Sequence, residues 1–451
     1  MNQILKTSYN LSMSKNESLV ARSLQAVWHP CTQMKHHEQF PLTPIVRGEG
    51  VWLYDAEGKR YLDAVSSWWV NLFGHNHPQI KDAIKQQLDT LEHVMLAGFT
   101  HEPVVALSEQ LAKLTGLGHA FYGSDGASAT EIALKMSFHY WRNTGKPSKS
   151  KFISLQNSYH GETLGALGVT DVAIFKDTYA PLLLQSAQMP SPDFRLAEAG
   201  ESAEQFAQRC ANALETYIAA HHDELAAFIV EPLVQCAAGM GMYHPIYLTR
   251  AREICTQYQV HLIADEIAVG FGRTGKMFAC EHAAKQVSDI ADFVCLSKGI
   301  TGGYLPLSVV LTTNDIYQAF YDDKTVKGFL HSHSYTGNPL ACSAALATLS
   351  LFEQTPVLQE NLKTSRYLQE KMQALTLLPI RHMRHQGMIH AFDVQSSNPQ
   401  FSRDCYAAGL THGLLLRPIG NTVYWMPPYV MSAEEMDWLV DQTALVVQQS
   451  L

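Results

Sequence analysis

VHLIADEIAVGFGRTGKMFACEHAAKQVSDIADFVCLSKGITGG, Val260 to Gly303, contains two short apolar runs, Val260–Ala264 and Phe293–Leu296. Unbroken runs of this length, bounded by polar residues, read as strands of a parallel sheet buried on both faces. The first runs into Asp265-Glu266. The second runs into Ser297-Lys298, followed by Gly299, Gly302 and Gly303. In an open α/β sheet, ligands sit beyond the carboxyl ends of the strands. An acid and a lysine therefore stand where a ligand would meet them. Each also has an ordinary structural reading: Asp after a strand often caps a helix, and Lys before Gly is often a solvated loop residue.

Working outward, the strand and helix signals alternate from about residue 120 to 312. Lys151–Leu155, Ala226–Val230 and Leu307–Thr312 read as further strands. Ala129–Trp141, Glu201–His221 and Ile246–Tyr258 read as helices. That beat predicts one mostly parallel sheet covered on both faces. The loop Gly123-Ser124-Asp125-Gly126-Ala127-Ser128 enters a helix. Free backbone N–H groups and the positive end of the helix dipole suit a phosphate there, although a plain N-cap gives the same pattern. Beyond Gln354-Thr355-Pro356 the pattern changes to a long helix, alternating strands within Ile380–Val394, and a C-terminal helix from Ala433. Val51–Tyr54 and Arg60–Val65 flank Asp55-Ala56-Glu57-Gly58 as a hairpin. The expected architecture is α/β: a large domain at 66–340, a smaller α+β domain at 341–451, and an N-terminal segment, 1–65, packing with the smaller one.

Composition excludes several classes. Lys and Arg number 33 against 42 Asp and Glu, a net charge of −9, and no basic run is present. That argues against nucleic acid. The polar leader over residues 1–18 lacks the apolar core of a signal peptide. No apolar stretch approaches ~18 residues, so no membrane span is expected. Eight scattered cysteines read as reduced thiols of a cytoplasmic protein. Gly270–Gly275 fits G-x-G-x-x-G, but Asp265 and Glu266 intervene between it and the strand, and Met277 stands where a P-loop needs Ser or Thr. His75/His77 and His331/His333 are the best metal pairs among 21 histidines, without H-E-x-x-H or C-x-x-C, so no metal is expected. Ser66-Ser67-Trp68-Trp69 follows the hairpin; on one strand the two tryptophans face opposite ways, so one should line a surface or pocket.

An acid and a lysine at two strand ends are what pyridoxal phosphate requires. The acid pairs with the pyridinium nitrogen, and the lysine holds the cofactor as a Schiff base. Tyr159-His160-Gly161, Glu231-Pro232, Asp265-Glu266, Gly270–Lys276, Ser297-Lys298-Gly299 and Thr336-Gly337-Asn338-Pro339 occur in this order over nearly the whole chain. With them the chain resembles the class III, or ω-type, aminotransferases of pyridoxal phosphate fold type I. Trp28-His29-Pro30, Ser66–Trp69, His75-Asn76-His77-Pro78, Gly239–Pro245 and Leu416-Arg417-Pro418 narrow the likeness. They point to members that convert 8-amino-7-oxononanoate to 7,8-diaminononanoate in biotin biosynthesis.

The resemblance implies a role for each matching residue. Lys298 holds pyridoxal 5′-phosphate and moves the proton, Asp265 pairs with its ring nitrogen, and Tyr159 stacks on the ring. Gly126 and Ala127 offer N–H groups to the phosphate. His333 and Ser334 reach the phosphate of a neighbouring subunit, so the implied enzyme is a homodimer with shared sites. Trp68, Tyr159, Lys298, Ser332, Arg417 and Cys31 border the substrate, with Arg417 on its carboxylate. Cys31 stands where many members carry an aromatic residue, Ala127 where a serine is frequent, and Ser332-His333-Ser334 where some carry Gly-Pro-Thr. The resemblance implies S-adenosylmethionine as the usual amino donor and leaves lysine open. A broader ω-amino acid:pyruvate specificity and an aminomutase of the same fold also stay open.

Overall fold

The strand His261–Asp265 is wholly buried and pairs in parallel with two neighbours, Leu225–Val230 on one side and Phe293–Leu296 on the other. With no solvated face, all three strands are apolar apart from His261 and Asp265 at the ends of the first, which is why they read as runs rather than alternations. The computed structural model describes residues 13–40 and 42–451. Its main sheet has seven strands, in the order His119–Gly123, Ser308–Thr312, Phe293–Leu296, His261–Asp265, Leu225–Val230, Lys151–Leu155 and Ala187–Met189. All pairings are parallel except those of Ser308–Thr312, which runs antiparallel to both neighbours. The expected α/β architecture is present. The edge strands His119–Gly123 and Ala187–Met189 have only short or interrupted apolar signals, and neither is evident from sequence.

A second core lies beside the first. It gathers Val51, Leu62 and Ala64 from the N-terminal hairpin with Leu368, Phe392, Phe401, Trp425 and Leu439 from the last hundred residues. The hairpin, distant from those residues in the chain, docks there because Arg60–Asp63 pairs in parallel with Leu414–Leu415. The three-stranded sheet of Ile380–Gln386, Ile389–Val394 and Thr422–Trp425 belongs to both cores. Alternate side chains point to opposite faces, so Ile389, Ala391 and Tyr424 join the larger core while Phe392, Val394 and Trp425 join the smaller.

The helix Pro339–Gln354 buries Ala341, Cys342, Ala344 and Ala345 in the larger core. A boundary after 340 therefore falls at the head of a helix that packs with the preceding residues. The leader reading over 1–18 meets a helix at Lys15–Ala26, opened by a Ser14–Glu17 capping box; residues 1–12 lie outside the described part. The Gly270–Gly275 run is a buried connection. Its Arg273 donates to the carbonyls of Pro427, Asn71, Met426 and Trp69, which ties this connection to two segments far away in the chain. Among the described residues no helix is long and apolar enough to cross a membrane, and no group of three His, Cys, Asp or Glu could hold a metal ion.

Candidate active site

Asp265 ends its strand paired with Cys295, and Lys298 follows three residues after Cys295. The two side chains line one cavity of about 610 Å³ at the carboxyl ends of the strands. Lys298 has φ 47°, a left-handed conformation that costs a non-glycine residue roughly 1–2 kcal/mol. The neighbouring Ser297 Oγ donates to the Leu307 carbonyl at 2.8 Å and fixes the turn. Burial lowers the basicity of the Lys298 amine, and Asp265, Cys236 and Glu231 oppose that shift. Buried groups with perturbed basicity in a cleft mark functional sites.

Asp265 is 4% exposed. Its Oδ1 accepts the Ile267 N–H at 3.1 Å, and its Oδ2 lies 2.7 Å from His160 Nδ1. Because a carboxylate only accepts, His160 donates from Nδ1; its Nε2 is buried without a partner. Thr170 and Thr130 clamp the His160 backbone at 2.9 and 2.8 Å. A fixed carboxylate facing the cavity suits a protonated pyridine nitrogen.

The helix Gly126–Asn143 points its N-terminus at the same cavity. Asp125 caps it by accepting the Ser128 N–H at 2.9 Å. The Gly126 and Ala127 N–H groups then have no acceptor among the described residues. Space around them is tight: a Cβ on Gly161 would lie 2.6 Å from the Ala127 Cβ, and Gly161 has φ 121°. Free N–H donors, a helix dipole, a buried carboxylate and an amine in one cavity fit pyridoxal phosphate.

Tyr159 lines the cavity, its N–H given to Glu231 Oε2 at 3.0 Å and its hydroxyl to Glu162 Oε1 at 2.9 Å. Burial pushes its phenol up, followed by the Glu162 charge. Glu231 is held well above the usual carboxylate range by burial and then by Asp265, against the N–H groups of Tyr159 and Cys236. Cys31, an exposed thiol with φ 53°, lies within electrostatic reach of the Tyr159 hydroxyl without lining the cavity itself.

Ser66, Ser67, Trp68 and Trp69 have φ of 49°, 46°, 74° and 73°. The tryptophan pair therefore lies on a single left-handed turn, not on a strand. Ser66 Oγ donates to the Met426 carbonyl and Ser67 Oγ to Asp63 Oδ2, both at 2.7 Å. The turn sends the rings apart. Trp69 is buried and lines the cavity, while Trp68 is 43% exposed with the Arg417 guanidinium 4.6 Å over its ring. Arg417 makes no ion pair or hydrogen bond among the described residues and is free to grip an anion.

Ser332, His333 and Ser334 do not reach the cavity of their own chain. Ser332 and Ser334 are exposed. His333 Nε2 lies 3.0 Å from His331 Nε2, whose Nδ1 lies 2.8 Å from Lys135 Nζ. Sequence reasoning assigned no role to Trp69, His160, Glu231 or Tyr424. His160 and Glu231 lay inside motifs already noted, but their partners, Asp265 and Tyr159, are distant in the chain. Tyr424 meets Trp69 within the larger core, with Trp69 Nε1 donating to its hydroxyl at 3.1 Å.

Residues 33–447 match the model of the class-III aminotransferases, and the chain belongs to that family. It is 47% identical over 434 residues to the adenosylmethionine-8-amino-7-oxononanoate aminotransferase of Helicobacter pylori, spanning 94% of this chain and 96% of that protein. To the enzyme of the same name from Geobacter sulfurreducens it is 41% identical, spanning 92% and 94%. Among solved structures, the adenosylmethionine-8-amino-7-oxononanoate aminotransferase of Methanocaldococcus jannaschii superposes with a TM-score of 0.89 at 34% identity, covering 96% of this chain and 98% of that one. The omega transaminase of Pseudomonas jessenii in complex with PMP gives 0.90 at 27% identity, covering 96% and 98%.

Proposed function

We propose that this aminotransferase transfers an amino group from S-adenosylmethionine to 8-amino-7-oxononanoate, giving 7,8-diaminononanoate in biotin biosynthesis, with pyridoxal 5′-phosphate as cofactor. The convergence of Lys298 and Asp265 on the cavity faced by the Gly126 helix end carries this reading. The relatives' names supply the substrate, and Arg417 over Trp68 supplies a place for its carboxylate.

Bound there, pyridoxal phosphate supplies an aldehyde that bonds amines and a ring that takes up the charge left by a departing proton. Lys298 Nζ holds the cofactor at rest. Once free, it takes the proton from the donor carbon, a role favoured by the lowering of its basicity on burial. Asp265 keeps the ring nitrogen protonated, and His160 fixes the orientation of Asp265. The Gly126 and Ala127 N–H groups bind phosphate. Tyr159 stacks on the ring, and Arg417 grips the substrate carboxylate bidentately. Cys31 borders the donor beside Tyr159.

The same proposal includes a homodimer in which His333 and Ser334 of the partner subunit complete the phosphate site. Val326 and Leu330, each 78% exposed beside that loop, support it, because apolar patches on a surface mark interfaces. The smaller domain then gathers the N-terminal hairpin with the chain beyond Gln354. A cytoplasmic location fits the eight unpaired cysteines.

Lys298→Ala tests the reading: it should abolish turnover and the borohydride-fixable bond between chain and cofactor. Turnover near wild type in that variant would end it. Half-reactions with S-adenosylmethionine, lysine and ω-amino acids in turn identify the donor.

A further inference from the structure

Trp69 has no part in the steps above, yet its ring lies beside the reacting amine. Lys298 Nζ lies 5.3 Å from the centre of the Trp69 ring, inside the ~6 Å over which an aromatic face attracts a cation. We propose that this indole face is the resting place of the Lys298 amino group whenever that amine is not bonded to the cofactor, so that Trp69 positions Lys298 for proton transfer. The proposal rests on Lys298 being the cofactor lysine.

The other groups around Lys298 are already engaged. Asp265, Cys236 and Glu231 each oppose the lowering of its basicity by burial. The Asp265 oxygens serve His160 and the Ile267 N–H. The Glu231 oxygens serve the N–H groups of Tyr159 and Cys236. Among the described residues Lys298 Nζ has no hydrogen bond or ion pair, which leaves the ring of Trp69 as its close partner. An amine freed in a buried pocket needs such a partner, because desolvation penalises its charge.

The ring is held still. Its Nε1 donates to the Tyr424 hydroxyl at 3.1 Å, and the two rings meet nearly edge to face. Arg273 Nη2 grips the Trp69 carbonyl at 3.4 Å. The left-handed turn Ser66–Trp69 fixes the approach of the backbone. Backbone strain of this kind persists where surrounding contacts over-determine it, and it clusters at functional sites.

The test uses the full-length holoenzyme with the cofactor in its amine form, which leaves Lys298 unbonded. Acetylation of Lys298 by acetic anhydride is followed across pH by mass spectrometry for wild type, Trp69→Phe, Trp69→Leu and Tyr424→Phe. The aldehyde form should protect Lys298 from label; failure of that control indicts the cofactor-lysine assignment rather than Trp69. In Trp69→Leu the labelling midpoint should fall by about one pH unit, since a desolvated cation loses its face. Trp69→Phe should fall less, and Tyr424→Phe should lie between wild type and Trp69→Leu. Turnover should drop mainly in kcat. If Trp69→Leu does not fold, Trp69→Phe and Tyr424→Phe decide. A midpoint unchanged in every folded variant, with the loss confined to KM, would overturn the proposal and leave Trp69 as a wall for substrate.

Discussion

Arg417 is a guanidinium left without a carboxylate among the described residues, stacked on the half-exposed Trp68, whose chain neighbour Trp69 lines the cavity that holds Lys298. Stacking orients its donor fork without consuming it. Arg417→Met should retain the stacking volume and lose the anion site. Steady-state kinetics with 8-amino-7-oxononanoate should then show a kcat/KM loss of about 30-fold or more, the ~2–5 kcal/mol of a truncated charge pair, borne mainly by KM. Asp265 and His160 form the other residue-scale device. With Asp265 opposite the ring nitrogen as proposed, Asp265→Asn should cut kcat while the cofactor stays bound, as read from absorbance and single-turnover rates. At this scale the sequence was informative for Lys298 and Asp265, because strand ends in a parallel sheet point one way. It was silent on Trp69 because adjacent tryptophans look alike until the backbone separates them.

Among the elements, the junction between Gly161 and the helix Gly126–Asn143 has the least room. Gly161→Ala would put a methyl group against Ala127 at a φ of 121° that an L side chain rarely adopts. The strain is of order 1–3 kcal/mol, and the helix end must move off the phosphate position. Thermal unfolding should register a lower Tm, and dialysis should strip cofactor faster than from wild type. The buried strands were evident from composition alone. The left-handed turn Ser66–Trp69 was not, because nothing in Ser-Ser-Trp-Trp favours positive φ. Tertiary hydrogen bonds to Met426 and Tyr424, with a local one to Asp63, hold it.

For the whole molecule, buried histidines set the response to acid. Burial lowers His261 to about 4 and His390 to about 3 from 6.5, and neither nitrogen of His390 has a partner. The folded chain holds both rings neutral, so the unfolded chain takes up protons first. Their contribution to stability is full above about pH 6.5 and is lost as pH falls toward 4 and 3, by about 1.4 kcal/mol per histidine per pH unit. His390→Leu should flatten the fall in Tm between pH 7 and 5. Assembly is tested by mixing. Lys298→Ala chains and His333→Ala/Ser334→Ala chains, each inactive or weak alone, should regain about a quarter of wild-type activity when unfolded and refolded together, because half of the random dimers carry one intact site. No recovery would mean that each site is complete within its own chain.

The sequence by itself determined the parallel sheet, the strand ends that carry Asp265 and Lys298, and the helix end at Gly126. These follow from local rules: burial on both faces makes apolar runs, and strand polarity fixes where ligands bind. Only the tertiary structure decided that Trp69 faces the lysine while Trp68 faces Arg417. It also decided that Tyr424 turns toward the larger core and that Ser332–Ser334 lies outside its own cavity. Those outcomes depend on contacts between segments hundreds of residues apart, such as Arg273 with Trp69 and Pro427, and no local pattern encodes a partner at that distance.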